Sequence, residues 1–181
     1  QANFPQPKWL EFPYDASQGE NARKGLVTVN WMLGELDNPE LSLGLGILNH
    51  ILIGTPASPL RKALIDSGLG EDLVGDGLET LLRQPCYSVG LKGILPDDAK
   101  QVEVLVLNTL AELARHGIDP ETVAASMNTI EFRLRENNTG TFPRGLSLML
   151  RAMPGWLHGR DPLSRLAFEA PLSAVKARVS A

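Results

Sequence analysis

The chain has 181 residues, 43% of them apolar, and its 17 basic and 21 acidic side chains give a net charge of −4. This is enough chain for one globular domain, and the charge argues against a nucleic-acid or acidic-membrane binder, which needs a basic face. The single cysteine excludes an internal disulfide, and no apolar run reaches the roughly 18 residues of a membrane span.

The predicted strands fall in the first half of the chain. The first 25 residues are strand-like and rich in turns, with a short apolar segment at 9–12 between two prolines. Residues 25–33 alternate and carry β-branched side chains, which predicts a strand. Another strand is predicted over 84–93, and a short irregular one, containing two glycines, over 71–80.

Helix starts are marked four times by a capping side chain directly before a proline. The pairs are Asn38-Pro39, Ser58-Pro59, Asp119-Pro120 and Asp161-Pro162. The residue before proline avoids α geometry and suits an N-cap, whereas proline suits the first helical turn. The apolar stripe expected on the first helix consists of Leu41, Leu45, Leu48 and Leu52.

Further helices are predicted after Pro96, near 146–153 and from Pro171. Strands and helices are therefore grouped in the sequence and do not alternate strictly. This grouping predicts an α+β fold, in which an antiparallel sheet carries helices packed on one face.

The usual catalytic and metal-binding motifs are absent from the sequence. Its histidines, His50, His116 and His158, lie far apart, and neither HExxH, HxxEH nor paired CxxC occurs. There is no GxSxG elbow, and the glycine pairs lack the strand-loop-helix context of a phosphate loop. We therefore predict neither a closed metal site nor a nucleotide site in this segment.

A polar stretch over residues 133–145 stands apart because it is dense in amides and arginines. Its candidate contact residues are Arg135, Asn137, Asn138 and Arg144. Such side chains can hold the backbone of an extended peptide or of a neighbouring domain. The alternative is that they cap helix ends and tie two helices together, and the sequence favours this second interpretation.

Four blocks of sequence, read together, resemble the second domain of the presequence proteases, a branch of the pitrilysin-type zinc metallopeptidases. They are GTPASPLRKAL at 54–64, SVGLKG at 88–93, ASMNTIEF at 125–132 and RENNTGTFPRGLSLM at 135–149. The resemblance extends over nearly the whole chain.

The resemblance implies a pitrilysin-type domain spanning residues 1–181, as part of a larger peptidase of four homologous domains. In such enzymes two halves close around a chamber and degrade unfolded peptides, including targeting peptides. The first domain holds zinc through the inverted motif HxxEH and one further glutamate, and the glutamate inside the motif is the general base.

The chain departs from that motif at HILIG, residues 50–54. Only the first histidine remains, and Ile53 and Gly54 stand where the base and the second ligand would be. A lone imidazole does not hold zinc tightly, and isoleucine cannot accept a proton from water. We therefore assign no catalytic or metal residue, and His50 is either a relic of the zinc motif or a packing residue.

The resulting hypothesis is a non-catalytic domain of a zinc metalloendopeptidase that helps to form the peptide chamber. Zinc would belong to the parent enzyme, and the partners would be its other domains and unfolded peptides, with no nucleic acid and no membrane. We expect a bacterial cytoplasm or an organelle interior, either mitochondrial matrix or chloroplast stroma, and not secretion. The alternative is a degenerate, peptidase-like scaffold subunit of a larger complex.

Overall fold

The computed structural model describes residues 4–15, 23–137 and 139–179. Within them lie three strands, β1 (Gly25–Met32), β2 (Asp72–Glu79) and β3 (Cys86–Ile94). The six α-helices are α1 (Pro39–Ile53), α2 (Pro59–Asp66), α3 (Ala99–His116), α4 (Pro120–Glu136), α5 (Arg144–Leu157) and α6 (Glu169–Val179). None of the described helices is both long and apolar enough to cross a membrane.

The three strands form an antiparallel sheet with β3 in the centre, in the order β1-β3-β2. The pairing of β2 with β3 shifts register between Val74 and Gly77, and the φ angles of Gly75 and Gly77 are +100° and +64°. These left-handed conformations favour glycine. The irregular strand predicted from the two glycines is therefore confirmed.

Helices cover one face of this sheet, as the sequence predicts. Alternate residues of β1 and β3 point to that face and pack against α1, α2 and α3. The buried cluster there, called the sheet core below, consists of Leu52, Leu60, Leu64, Val89, Leu91, Ile94, Val102 and Val106. On the opposite face, Leu26 and Lys92 are exposed. The α+β fold with an antiparallel sheet is thus confirmed.

A second, smaller cluster lies on the far side of α1. Ile47 and Ile51 of α1 pack there against Met127 of α4 and Val175 of α6. Helix α1 is therefore shared by the sheet core and by the C-terminal helices.

The stripe expected on α1 is largely wrong. Leu41 and Leu48 are exposed, and of the four predicted leucines only Leu52 is buried. The burial shifts because α1 packs on two sides and is apolar around most of its circumference. Its hydrophobic pattern therefore gives little directional signal.

Two further predictions are wrong. Residues 9–12 form no strand, and the segment 4–15 is exposed throughout, because no strand among the described residues pairs with it. Residues 16–22 of the region predicted to be strand-like lie outside the described residues. Asp161 begins a turn instead of a helix, since its carboxylate accepts the backbone N–H of Leu163 at 2.9 Å and closes a local turn. The other three cap-proline pairs do begin helices, with Asn38 and Asp119 accepting backbone N–H groups.

Candidate functional site

The end of α1 is where the resemblance would place the zinc motif of a catalytic domain. His50 is buried there, with 7% of its surface exposed. Its carbonyl oxygen accepts the N–H of Gly54 at 2.8 Å and the hydroxyl of Ser58 at 3.2 Å. Within the described part of the chain its Nδ1 atom has no hydrogen-bond partner. Burial, together with the positive charge of Arg133, lowers the pKa of this imidazole, which favours the neutral form.

The residues around His50 do not fit a zinc ion. A Cβ atom at residue 54 would lie 2.5 Å from the carbonyl oxygen of His50 and 2.7 Å from its ring. A second histidine ligand could not enter that position unless the end of α1 moved. Across residues 4–15, 23–137 and 139–179, no group of three or more His, Cys, Asp or Glu side chains could hold a metal.

The structure separates the candidate residues of the polar stretch. Arg135 donates to Glu131, one turn earlier on α4, at 2.7 and 2.9 Å. Asn137 ends α4 in a left-handed conformation with φ of 43°, and its N–H donates to the carbonyl of Arg133. Arg144 begins α5 and is exposed, and Asn138 lies outside the described residues. Asn137 thus has a capping role, and contact with a peptide or another domain stays a prediction for the set.

Glu131 joins two C-terminal helices. It accepts hydrogen bonds from Lys176 of α6 and from Arg135, and these bonds lower the pKa of its carboxyl group. The polar stretch itself ends in a tight turn, where the N–H of Phe142 donates to the carbonyl of Thr139 at 3.0 Å. These contacts brace α4 and the loop that leads into α5.

A cleft that no local sequence pattern predicts lies between α1, the end of β2, the second half of α5 and the segment 160–168. Its volume is about 510 Å³, within the range of small-ligand sites. Three arginines line it, namely Arg151, Arg160 and Arg165, together with one acidic residue, Asp37. The three arginines lie close together in the sequence, at 151–165, and could have pointed to this site. The rest of the cleft lining, however, comes largely from the first half of the chain.

Arg160 links the segment 160–168, which forms one side of the cleft, to residues in the first half of the chain. Its guanidinium donates to the carbonyl of Leu36 at 2.9 Å, pairs with Asp37 and lies 3.6 Å from Glu35. Arg165 donates instead to the carbonyl of Thr80 at 3.3 Å. Burial, and then the positive charge of Arg160, lower the pKa of Arg165. Arg165 therefore lies close to the positive charge of Arg160. The nearby carboxylates, of Glu35 and Asp37, form ion pairs with Arg160.

Helix α5 presents an apolar stripe to solvent. Leu146, Met149, Leu150 and Leu157 recur at helical spacing, and each is at least 38% exposed. Trp156 beside them is 73% exposed. In the described part of the chain, α5 makes only marginal contact with the other helices and strands. An amphipathic helix normally buries such a stripe, so this one is a candidate interaction surface.

Comparison with known proteins gives consistent matches. The family model described as "Peptidase M16 inactive domain" matches residues 3–130. The chain is 48% identical over 179 residues to "Presequence protease 1, chloroplastic/mitochondrial" of Arabidopsis thaliana, covering 98% of this chain and 17% of that protein. It is 32% identical over 181 residues to "Protein HypA" of Clostridium perfringens, covering 99% of this chain and 18% of that protein.

Solved structures with this fold also exist. One is the inactive peptidase domain of a putative zinc protease from Bordetella parapertussis, with a TM-score of 0.65 and 16% identity over 84% of this chain and 79% of that one. Another is a putative zinc protease from Bordetella pertussis, with a TM-score of 0.59 and 19% identity over 84% and 80%. At these identities the likeness concerns the fold. The chain spans about a sixth of the length of the curated relatives above.

Proposed function

We propose that this chain, which belongs to the peptidase M16 family as an inactive domain, serves as the non-catalytic second domain of a zinc metalloendopeptidase related to the presequence proteases. The resemblance indicated by the sequence motifs is confirmed by the family match and by the 48% identity to a presequence protease. The proposal concerns the role of the chain within a larger enzyme. It assigns one domain to residues 1–181 and the remaining domains to the rest of that enzyme.

The observation that carries the proposal is the exposed apolar stripe of α5. Its occupant, in our proposal, is another domain of the same polypeptide. The curated relatives are about six times longer than this chain, so most of a comparable polypeptide lies outside it. Met149, Leu157 and Trp156 are each more than half exposed, and covering them would remove apolar surface from water.

Catalysis would then belong to a different domain. The end of α1 supports this, because Ile53 and Gly54 offer neither a base nor a zinc ligand beside His50. In the parent enzyme zinc would supply an activated water for peptide hydrolysis. This chain would contribute chamber wall, and enclosure would select short, unfolded peptides such as targeting peptides.

The polar stretch is proposed as a contact region at the edge of that wall. Arg144 is its most available member, because it is exposed and its side chain has no hydrogen-bond or ion-pair partner among the described residues. Arg135 is engaged by Glu131, although its side chain remains 67% exposed. The words "chloroplastic/mitochondrial" in the name of the Arabidopsis relative support an organelle interior as the proposed location, either mitochondrial matrix or chloroplast stroma. A bacterial cytoplasm is the alternative location in this proposal.

The proposal is tested first at the gene. We expect the reading frame to contain, upstream of this chain, a homologous domain with an intact HxxEH motif. A complete short gene that encodes this chain alone would overturn the proposal and favour the scaffold-subunit alternative.

The interface is tested by producing this chain and the upstream segment as separate polypeptides and measuring their association by size-exclusion chromatography. The double variant Met149→Ser/Leu157→Ser should weaken association, because it places hydroxyl groups in the apolar stripe. The matched control is Leu26→Ser/Val104→Ser, which alters exposed apolar residues on β1 and α3. Equal association of the two double variants would contradict α5 as the docking surface.

A further inference from the structure

The arginine-lined cleft has an excess of positive charge that its own residues do not balance. Arg160 already engages Asp37 and Glu35, which are the carboxylates nearest to it. No carboxylate among the described residues lies within ion-pair distance of Arg165 or Arg151. Arg165 is bound through one nitrogen, to the neutral carbonyl of Thr80. Two guanidinium groups therefore have unused donors at the cleft.

The geometry of a guanidinium group limits the kind of ligand. Its N–H groups form a planar fork that matches a carboxylate or phosphate in two parallel hydrogen bonds. The partial burial of Arg165 strengthens such a pair relative to one in open solvent. The cleft is therefore suited to an anion with planar or tetrahedral oxygens.

The remaining lining narrows the choice. More of the cleft surface is apolar than polar, and the apolar side chains come from α1, β2, α4, α5 and the segment before α6: Leu43, Leu78, Leu134, Leu150 and Phe168. A nucleotide would need a glycine-rich phosphate loop or a stacking platform, and Phe168 is the one aromatic residue in the lining. A ligand that carries a carboxylate next to an apolar group fits both parts of the cleft.

We propose that this cleft binds the C-terminal carboxylate of a peptide that ends in an apolar residue. Arg165 and Arg151 hold the carboxylate, Leu43 and Phe168 contact the last side chain, and Arg160 fixes the cleft wall. The choice of a peptide as the carrier of the carboxylate rests on the proposed function. The cleft would then hold the end of a substrate or a cleaved product away from the catalytic domain.

The test is a calorimetric titration of the purified 181-residue chain with three short N-acetylated peptides. The first ends in Leu with a free carboxylate, and the second is the same peptide as a C-terminal amide. The third is amidated and carries a Glu side chain near its end, which imitates an acidic side chain from a neighbouring domain. We expect the free acid to bind about tenfold more tightly than either amide, because only it presents a carboxylate beside the apolar side chain.

The variants Arg165→Gln and Arg151→Gln should each weaken binding of the free acid about tenfold. Arg165→Lys should recover only part of the loss, because lysine keeps the charge but not the fork. Arg115→Gln, at the exposed end of α3, is the matched control and should bind as the wild type does. Circular dichroism spectra and thermal midpoints compare the folding of the variants.

Equal binding of the acid and its amide, or an equal loss in Arg115→Gln, would overturn the carboxylate site. Tight binding of the glutamate peptide would assign the cleft to an acidic side chain and overturn the assignment to a peptide terminus. None of these results would bear on the docking test of α5, because Met149 and Leu157 do not line the cleft. Conversely, a failed docking experiment would remove the proposed function without changing the affinity of this chain for a free carboxylate.

Discussion

The sheet core and helix α5 use apolar side chains in opposite ways. In the sheet core, Leu60, Leu64 and Leu91 are inaccessible to solvent, and helices seal one face of the sheet. On α5, the apolar stripe is at least 38% exposed at Leu146, Met149, Leu150 and Leu157. The helices of the domain cover the apolar side chains of the sheet core, whereas the apolar side chains of α5 are left exposed to solvent by the described residues.

This difference separates the residues that stabilise the fold from those that we propose to bind another domain. The fold of this chain depends on the first region, because its side chains are buried between the sheet and the helices. In our proposal, interaction with the rest of an enzyme depends on the second. Helix α1 connects them, since Leu52 packs in the sheet core while Ile47 and Ile51 pack against α4 and α6.

The largest expected effect is in the sheet core. Leu91→Ala should lower the free energy of unfolding by roughly 2–5 kcal/mol, because it removes buried methyl groups and leaves a cavity. Urea unfolding followed by circular dichroism measures the loss. A loss below about 1 kcal/mol would mean that this core is loosely packed. The sheet core and α5 would then differ less in their contribution to stability than their burial indicates.

A smaller effect is expected from His50, at the joint between α1 and α4. Its folded-state pKa is lowered from 6.5 by burial and Arg133, so the unfolded chain binds more protons just below pH 6.5. The stability that neutral His50 provides is therefore present above pH 6.5 and is lost as the pH falls below it. Urea unfolding at pH 7.5 and pH 5.5 should show a larger loss for the wild type than for His50→Gln.

The control for this pH experiment is His116→Gln, which removes an exposed imidazole at the end of α3. An equal loss of stability in the wild type and in His50→Gln would show that the buried imidazole does not couple pH to folding.

The smallest effect on folding is expected from α5. Met149→Ser should change the free energy of unfolding of this chain by no more than about 0.5 kcal/mol, because the side chain is already 52% exposed. It should, however, reduce the binding of a hydrophobic dye. A cost comparable to that of Leu91→Ala would show that α5 is part of the fold and not an interaction surface.

Much of the fold could be predicted from the sequence because local patterns decided it. The alternation in 25–33 and 84–93, the glycines of β2 and the cap-proline pairs at Asn38 and Asp119 all correspond to observed elements. The strand predicted at 9–12 is not observed, because a strand forms only when another strand pairs with it. The helix predicted to begin at Asp161 is not observed, because an aspartate carboxylate stabilises a turn as readily as a helix start.

The candidate sites were less accessible to sequence reasoning. The polar stretch was recognisable as dense in amides and arginines, and Asn137 proves to be a helix cap. The cleft, in contrast, depends on contacts between distant parts of the chain, such as Arg160 with Leu36 and Arg165 with Thr80. No local spacing predicts such contacts. The exposure of the α5 stripe was equally hidden, because an amphipathic pattern does not tell whether its apolar side is covered.

The central claim, that this domain is non-catalytic, is tested most directly by incubating the purified chain with added zinc and a quenched fluorescent, unstructured peptide, with and without a chelator. We predict no chelator-sensitive cleavage, because Gly54 and Ile53 stand where the resemblance would place the second zinc ligand and the base. Clear chelator-sensitive turnover that survives repurification would contradict the claim and would mean that zinc ligands converge from other positions in the chain.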